Sequence, residues 1–233
     1  MNVGRQESEI EPADYVRWRD SRLGSLTEFI EQRAILGLCG NLSGRRVLDL
    51  GCGDGTYALR ASEEGAFAVG LDISPAMLSA ARTRAAAQTT QVRWCQASIA
   101  ALPFAANAFD VVIAVTVLCF SVDPDAAIKE AARVLRPGGS LVIGELGKCS
   151  LWALSRRIRG WLGSRTWSHS RFWRVQELRR VIEAAGLRFD DAQGHVYYPP
   201  VAVLAEVLSP LDTALSRLGP CGAAFIAVKA TKA

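Results

Sequence analysis

Between Arg46 and Leu146 the apolar positions gather into short runs that alternate with longer, helically spaced segments. The runs at 46–50, 67–72, 91–95, 109–115 and 139–146 have the length and aliphatic content of buried strands. The intervening stretches 56–64, 75–87 and 124–135 have the length and spacing of helices. Ser74 before Pro75, and Asp123 before Pro124, place a capping side chain ahead of a residue whose φ is already helical. Repeated alternation of this kind predicts an α/β fold, a Rossmann-like doubly wound and mostly parallel sheet with helices on both faces. Downstream, 151–162 and 175–185 read as helices, 187–195 as a strand and 223–230 as the last strand. Leu204, Val207, Leu208, Leu211, Leu215 and Leu218 lie near helical spacing in a stretch interrupted at Pro210. Upstream, 23–38 reads as a helix, and 1–13 is expected to lack fixed structure.

The first strand runs into the densest chemistry of the chain. Asp49-Leu50-Gly51-Cys52-Gly53-Asp54-Gly55 places three glycines at alternate positions between a strand and a helix. Glycines there let the backbone turn sharply and let a ligand approach the main chain without meeting a Cβ. The helix that follows offers unpaired N–H groups and the positive end of its dipole. A second carboxylate, Asp72, ends the next apolar run, where it can accept both hydroxyls of a ribose. On these residues alone the turn could hold a nucleoside-type cofactor, hold a dinucleotide, or bind nothing.

The stretch from Val47 to Gly55 resembles the first motif of class I S-adenosylmethionine-dependent methyltransferases. Leu102-Pro103-Phe104 ahead of Phe109-Asp110-Val111-Val112 resembles the approach to that family's fourth strand. Leu135-Arg136-Pro137-Gly138-Gly139-Ser140-Leu141 resembles the turn into its fifth. The four matches, Asp72 included, fall in the family's order across residues 45–146, most similar to the small-molecule, quinone and menaquinone-type members. The resemblance implies one domain over 1–233 with a seven-stranded sheet whose last strand is antiparallel. It divides the chain into N-terminal lid helices (1–44), a cofactor-binding core (45–146), a substrate cover (147–175) and a C-terminal part of the sheet (176–233) with a helical insertion at 200–218.

The resemblance also assigns a cofactor shell. Asp49, Gly51, Cys52, Gly53 and Gly55 surround the methionine part of S-adenosylmethionine, and Asp72 holds the ribose. Ile73 and Met77 pack on the adenine, and Val115 offers a backbone carbonyl to the cofactor's amino group. Ser98, beside Ile99, stands where many relatives carry an aspartate that bonds the adenine, so this contact is uncharged here. Tyr15 and Trp18 are either aromatic lid residues or plain packing of an N-terminal helix. Where quinone-methylating relatives carry histidine after the fourth strand, this chain has Leu118-Cys119-Phe120, so no catalytic histidine carries over. The two histidines of the chain, His169 and His195, and Tyr198 are candidates for a general base, with structural roles as the alternative.

Composition narrows the setting. Half of the 233 residues are hydrophobic and the net charge is +4, too mild to argue for nucleic acid. No Asn-Pro-Pro-Tyr-type motif follows the fourth strand, and nucleic acid is not an expected partner. Six cysteines lie far apart without a Cys-x-x-Cys pair, and no metal site is expected. With a polar, acidic opening from Met1 to Glu11, they predict reduced thiols in a cytoplasmic protein. Residues 148–180 hold four of the six tryptophans and eight arginines against one acid, Glu177. Arg156, Arg157 and Arg159, within one turn, are expected to act together. This cover is read either as solvated or as meeting an anionic membrane surface through 150–175 or an acidic, partly apolar acceptor. The reading is of a methyltransferase acting on a small apolar or amphipathic molecule. Its rivals are another S-adenosylmethionine-using enzyme and a cofactor-binding regulatory module.

Overall fold

The computed structural model describes residues 11–88, 90–217 and 219–233. Seven strands form one sheet: β1 (Arg46–Leu50), β2 (Phe67–Asp72), β3 (Val92–Gln96), β4 (Phe109–Val115), β5 (Leu135–Leu146), β6 (Leu187–His195) and β7 (Phe225–Lys232). Their order is β3-β2-β1-β4-β5-β7-β6. The first five are parallel, and β7 runs antiparallel between β5 and β6. Strand order reverses between β1 and β4, and this crevice is where open α/β sheets take their ligands. β4 is buried along its whole length, which explains its Val111–Val115 apolar run, and the buried Asp110 ahead of it is paired with Arg136.

Helices cover both faces. On one face α2 (Arg22–Cys39) and α3 (Thr56–Glu63) pack Ile35, Leu38, Tyr57 and Ala61 onto Val47, Val111, Ile113 and Val142. On the other, α5 (Pro124–Val134) and α8 (Val175–Ala184) bury Ile128, Ala131, Leu178 and Ile182. Local chemistry sets the starts. Ser21 Oγ accepts from Gly24 N at 3.0 Å, Asp123 Oδ1 from Ala126 N at 2.9 Å and Ser74 Oγ from Met77 N at 3.3 Å. The third of these opens α4 (Pro75–Gln88).

Several boundaries differ from the sequence reading. Of the segment expected to lack structure, residues 1–10 lie outside the described residues, and Pro12 and Ala13 begin α1 (Pro12–Arg19), with proline in the first turn. The helix expected to end at 135 ends at Val134, and β5 starts at Leu135 rather than 139. The Arg136–Gly139 turn is absorbed as a register shift between Phe109 and Val111, with Gly138 at φ 75°. The 201–218 stretch breaks into α9 (Ala202–Leu208), a 3-10 turn at Ser209–Leu211 that takes up Pro210, and α10 (Asp212–Ser216). Leu218 lies outside the described residues. In the predicted lid, α2 is a wall of the core, because Ala34, Ile35 and Leu38 face the sheet. The cover is α6 (Leu151–Trp161) with the one-turn α7 (Arg165–Ser168).

Candidate functional site

The glycine turn sits at the carboxyl end of β1, and each glycine is there for a different reason. All three have left-handed backbones: φ is 64° at Gly51, 54° at Gly53 and 90° at Gly55. A Cβ on Gly51 would overlap Val117, in the turn after β4, and one on Gly55 would come within 2.6 Å of the Trp94 ring on β3. A Cβ on Gly53 would meet nothing within 4 Å. Gly51 and Gly55 are therefore fixed by the protein's own packing. Gly53 instead faces open space at the strand-order reversal, a cradle that a side chain would fill.

The carboxylates around the turn hold it in shape. Asp49 is buried, and its Oδ2 accepts from Ala58 N at 2.9 Å. Ala58 lies in the first turn of α3, whose N-cap is Gly55 and lacks a capping side chain, so Asp49 caps the helix from the preceding strand. Burial pushes the Asp49 carboxyl up to about 7 against the opposing pull of that N–H. Asp72 accepts from Gly53 N through Oδ2 and from Ser74 N through Oδ1, both at 2.8 Å. It thus ties the glycine turn to the start of α4 and keeps further lone pairs for a ligand. Cys52 N donates to Leu71 O at 2.9 Å, which closes the turn onto β2. The Cys52 thiol is buried and held well up by desolvation and by Asp49 and Asp72, so it is not a thiolate.

Asp54 is a buried hub that the sequence reading missed. It is buried and pairs with Arg19 of α1 and, at 2.7 Å, with Arg84 of α4. Thr56 Oγ1 links it to the buried Glu28 of α2, 3.3 Å away. Arg19 also lies over the Tyr15 ring, whose centroid is 5.7 Å away. One carboxylate beside the glycine turn thereby gathers α1, α2 and α4 around it. The signal was the second acid of Asp49-x4-Asp54, but its partners lie 35 and 30 residues away, beyond the reach of local pattern. Trp94, packed beneath Gly55, was missed for the same reason.

The rest of the predicted shell collects at the same edge. Met77 and Ile99 are buried, Ile73 is exposed, and Ser98 follows β3, with Ala97 N bonded to Asp72 O at 3.2 Å. Val115 ends β4 and is buried. The next residue, Thr116, is β-branched yet has φ 47°, a costly backbone held by its N–H donating to Gly144 O at 2.7 Å. The fully buried Glu145 braces this turn by accepting from Leu118 N at 2.7 Å and Cys119 N at 3.3 Å, and burial raises its carboxyl to about 7. Tyr15 is half-buried, 5.9 Å from Trp18 between ring centroids, and burial next to Glu28 and Asp54 raises its hydroxyl pKa.

The three candidate bases are not brought together. His195 ends β6 at the far edge of the sheet, with Nδ1 3.0 Å from Asp212 Oδ2. Asp212 also accepts from Val196 N and Tyr197 N, so this pair shapes the loop after β6. Tyr198 is buried, its hydroxyl 3.0 Å from Thr27 Oγ1 and its carbonyl accepting from Trp152 Nε1 at 2.9 Å, and burial pushes it up to about 12. His169 is exposed just after α7. The three arginines of α6, expected to act together, sit in different surroundings. Arg156 lies between the Trp152 and Trp167 rings, Arg157 lies over Phe172, and Arg159 is exposed. Three side chains in one helical turn point in three directions, about 100° apart per residue.

The sequence and the fold were compared with known proteins. Residues 48–143 match a family profile described as a methyltransferase domain. A ubiquinone biosynthesis O-methyltransferase from Idiomarina loihiensis is 32% identical over 164 residues, covering 68% of each chain. Among solved structures, a SAM-dependent methyltransferase from Thermotoga maritima, described as a possible histamine N-methyltransferase, superposes with a TM-score of 0.72. It is 23% identical and covers 95% of both chains. Magnesium protoporphyrin IX methyltransferase from Synechocystis, solved with bound SAH, gives a TM-score of 0.68 at 17% identity over 96% of both chains. The two structures share the fold.

Proposed function

The chain belongs to the class I S-adenosylmethionine-dependent methyltransferases, and from that premise we propose that it methylates an oxygen of a small, amphipathic acceptor by in-line displacement. S-adenosylmethionine is its cofactor and supplies a methyl group already activated on a sulfonium. The observation that carries the reading is the open space at Gly53 beside the ribose-type carboxylate Asp72. In this reading Gly51, Cys52, Gly53 and Gly55 present backbone to the methionine part, with Asp49 behind them, and Asp72 binds the ribose hydroxyls. Ile73, Met77 and Ile99 line the adenine, Ser98 bonds it, Val115 offers its carbonyl, and Tyr15 closes the entrance. The work of the protein is to orient the nucleophile and exclude water. An oxygen acceptor is supported by the name of the Idiomarina relative.

The amphipathic character of the acceptor rests on the outer face of the cover. Leu151, Leu154, Ile158, Trp161 and Leu162 lie at helical spacing along α6, and all are exposed, Trp161 by 85%. Val203, Leu204 and Val207 of α9 add to the exposed apolar surface, and Arg159 and Arg165 are exposed beside it. An open cleft of about 360 Å³ lies between the start of α6 and the loop after β6, lined by Leu151, Leu154, Arg157, Tyr197 and Tyr198. No helix among the described residues is long and apolar enough to cross a membrane. Apolar surface rimmed by arginines fits peripheral contact of a cytoplasmic protein with an anionic bilayer. The experiment is transfer from methyl-labelled S-adenosylmethionine to a panel of amphipathic phenols, with and without anionic vesicles. Labelled methyl ether together with S-adenosylhomocysteine supports the reading. Cofactor binding without any labelled product across metabolite extracts would favour a regulatory module.

A further inference from the structure

The three arginines of α6 differ in what holds them. Arg157 lies over the Phe172 ring at 5.1 Å and its Nη2 donates to Lys148 O at 3.5 Å, while Arg159 faces solvent. The Arg156 guanidinium lies 4.9 Å from the centroid of Trp152 and 4.8 Å from that of Trp167. Trp152 is buried and fixed by its bond to Tyr198 O. Trp167 meets the Phe120 ring, 6.3 Å between centroids, in the turn after β4. The same turn is clipped to the cover by Arg171 N, which donates to Cys119 O at 2.8 Å. Arg156 is therefore positioned over the carboxyl ends of the strands, beside the turn that packs on Gly51.

Among the described residues Arg156 makes no ion pair and no hydrogen bond, while none of its nitrogens is fully enclosed. Two indole faces stabilise the cation and fix its plane but leave its five N–H donors unused. Burial brings its pKa down to about 10, so it stays charged at neutral pH. The titratable groups that face it are Glu31 of α2, Arg159 and the thiol of Cys119, which burial holds well up and uncharged. Glu31 interacts electrostatically with Arg156, and no ion pair joins the two among the described residues. Burial raises the Glu31 carboxyl to about 8 against the opposing pull of the Arg156 charge. A planar guanidinium with free N–H groups, an acid opposite and aromatic walls together match a flat anionic group.

We propose that Arg156, clamped between Trp152 and Trp167, binds the carboxylate of an aromatic acid and so anchors an acidic acceptor. The proposal rests on the methyl-transfer reading and specifies its substrate class. Calorimetric titration of the protein saturated with S-adenosylhomocysteine tests it, with 1-naphthoate and its neutral isostere 1-naphthamide as probes. The wild-type protein should bind naphthoate at least about tenfold more tightly than naphthamide, the scale of one charge-assisted bond. Arg156→Met should remove that preference with S-adenosylhomocysteine affinity and melting temperature retained, and Arg156→Lys should keep only part of it. Arg217→Met, an exposed charge control, should keep all of it. Equal affinity for the two probes, binding of neither, or a preference that survives in Arg156→Met overturns the proposal. A wild-type protein that fails to bind S-adenosylhomocysteine overturns the methyl-transfer reading instead.

Discussion

The two ends of the ligand crevice are built on opposite principles. Around the glycine turn three buried or half-buried carboxylates are bonded to backbone: Asp49 to Ala58 N, Asp72 to Gly53 N and Ser74 N, and Glu145 to Leu118 N and Cys119 N. These carboxylates determine where the main chain goes, and the main chain forms the site. In the cover the side chains lie against one another instead, with Arg156 between two indoles and Leu154, Ile158 and Trp161 facing solvent. A site made of bonded backbone has one shape and suits a ligand that never changes. A surface of aromatic and apolar side chains on short helices tolerates re-packing and suits the part that distinguishes acceptors.

The contrast breaks most sharply at the glycines. Gly53→Val should abolish measurable S-adenosylmethionine binding by filling the open space that Gly53 faces, with a stability cost of about 1–2 kcal/mol from its left-handed backbone. Gly51→Val carries the same strain and also overlaps Val117, so it should lose folded protein first. Chemical denaturation alongside calorimetry separates the two. If both variants fold and bind normally, the glycines are ordinary turn residues.

Asp72→Ala leaves Gly53 N and Ser74 N without their acceptor, which should cost about 1–3 kcal/mol of stability in urea titrations. A pH effect belongs to the same region. Asp49 and Glu145 are raised to about 7 by burial, so the folded protein holds protons that the unfolded chain has released above about pH 4. Their contribution is complete at the acid end and is lost as pH rises through 7, up to about 1.4 kcal/mol per pH unit for each group. The urea midpoint of the cofactor-free protein should therefore fall between about pH 5 and 7, inside the span between the unfolded and folded pKa values, and less so in Asp49→Asn. A midpoint that rises over this range contradicts the assignment.

The smallest effect sharpens the other side of the comparison. Leu154→Glu with Ile158→Glu should cut co-sedimentation with anionic vesicles by about tenfold, since the two side chains, only partly withdrawn from water on contact, together contribute on the order of 1–2 kcal/mol. Cofactor affinity and thermal stability should stay as in the wild type, because both side chains already face solvent. Undiminished vesicle binding in the double variant would remove α6 from the membrane contact.

The difference between the regions also decided what could be read from sequence. Strands β1, β2 and β4, and the glycine turn with Asp72, were legible to the residue, because short-range chemistry dictates them: unbroken apolar runs, left-handed glycines and capping groups. The register shift that draws Leu135 into β5 was not, since Pro137 and the paired glycines read as a plain turn. Asp54 was legible as an acid, but not as the tie to Arg19 and Arg84. In α6 the periodicity marked an amphipathic helix, yet it could not say which arginine turns inward. That depends on Trp167 arriving from the next helix and on Glu31 approaching from α2.

The central claim is that the turn from Asp49 to Gly55, with Asp72, holds S-adenosylmethionine while the cover handles the acceptor. Calorimetric titration of S-adenosylmethionine into wild type and Asp72→Asn tests it most directly, the amide retaining the shape and one accepting oxygen of the carboxylate. The affinity of Asp72→Asn should fall by about 1.5–3 kcal/mol, the scale of a charge-assisted hydrogen bond to the ribose, with the fold intact by circular dichroism. Unchanged affinity in the folded variant, or tighter binding of NAD than of S-adenosylmethionine by the wild type, would contradict the account.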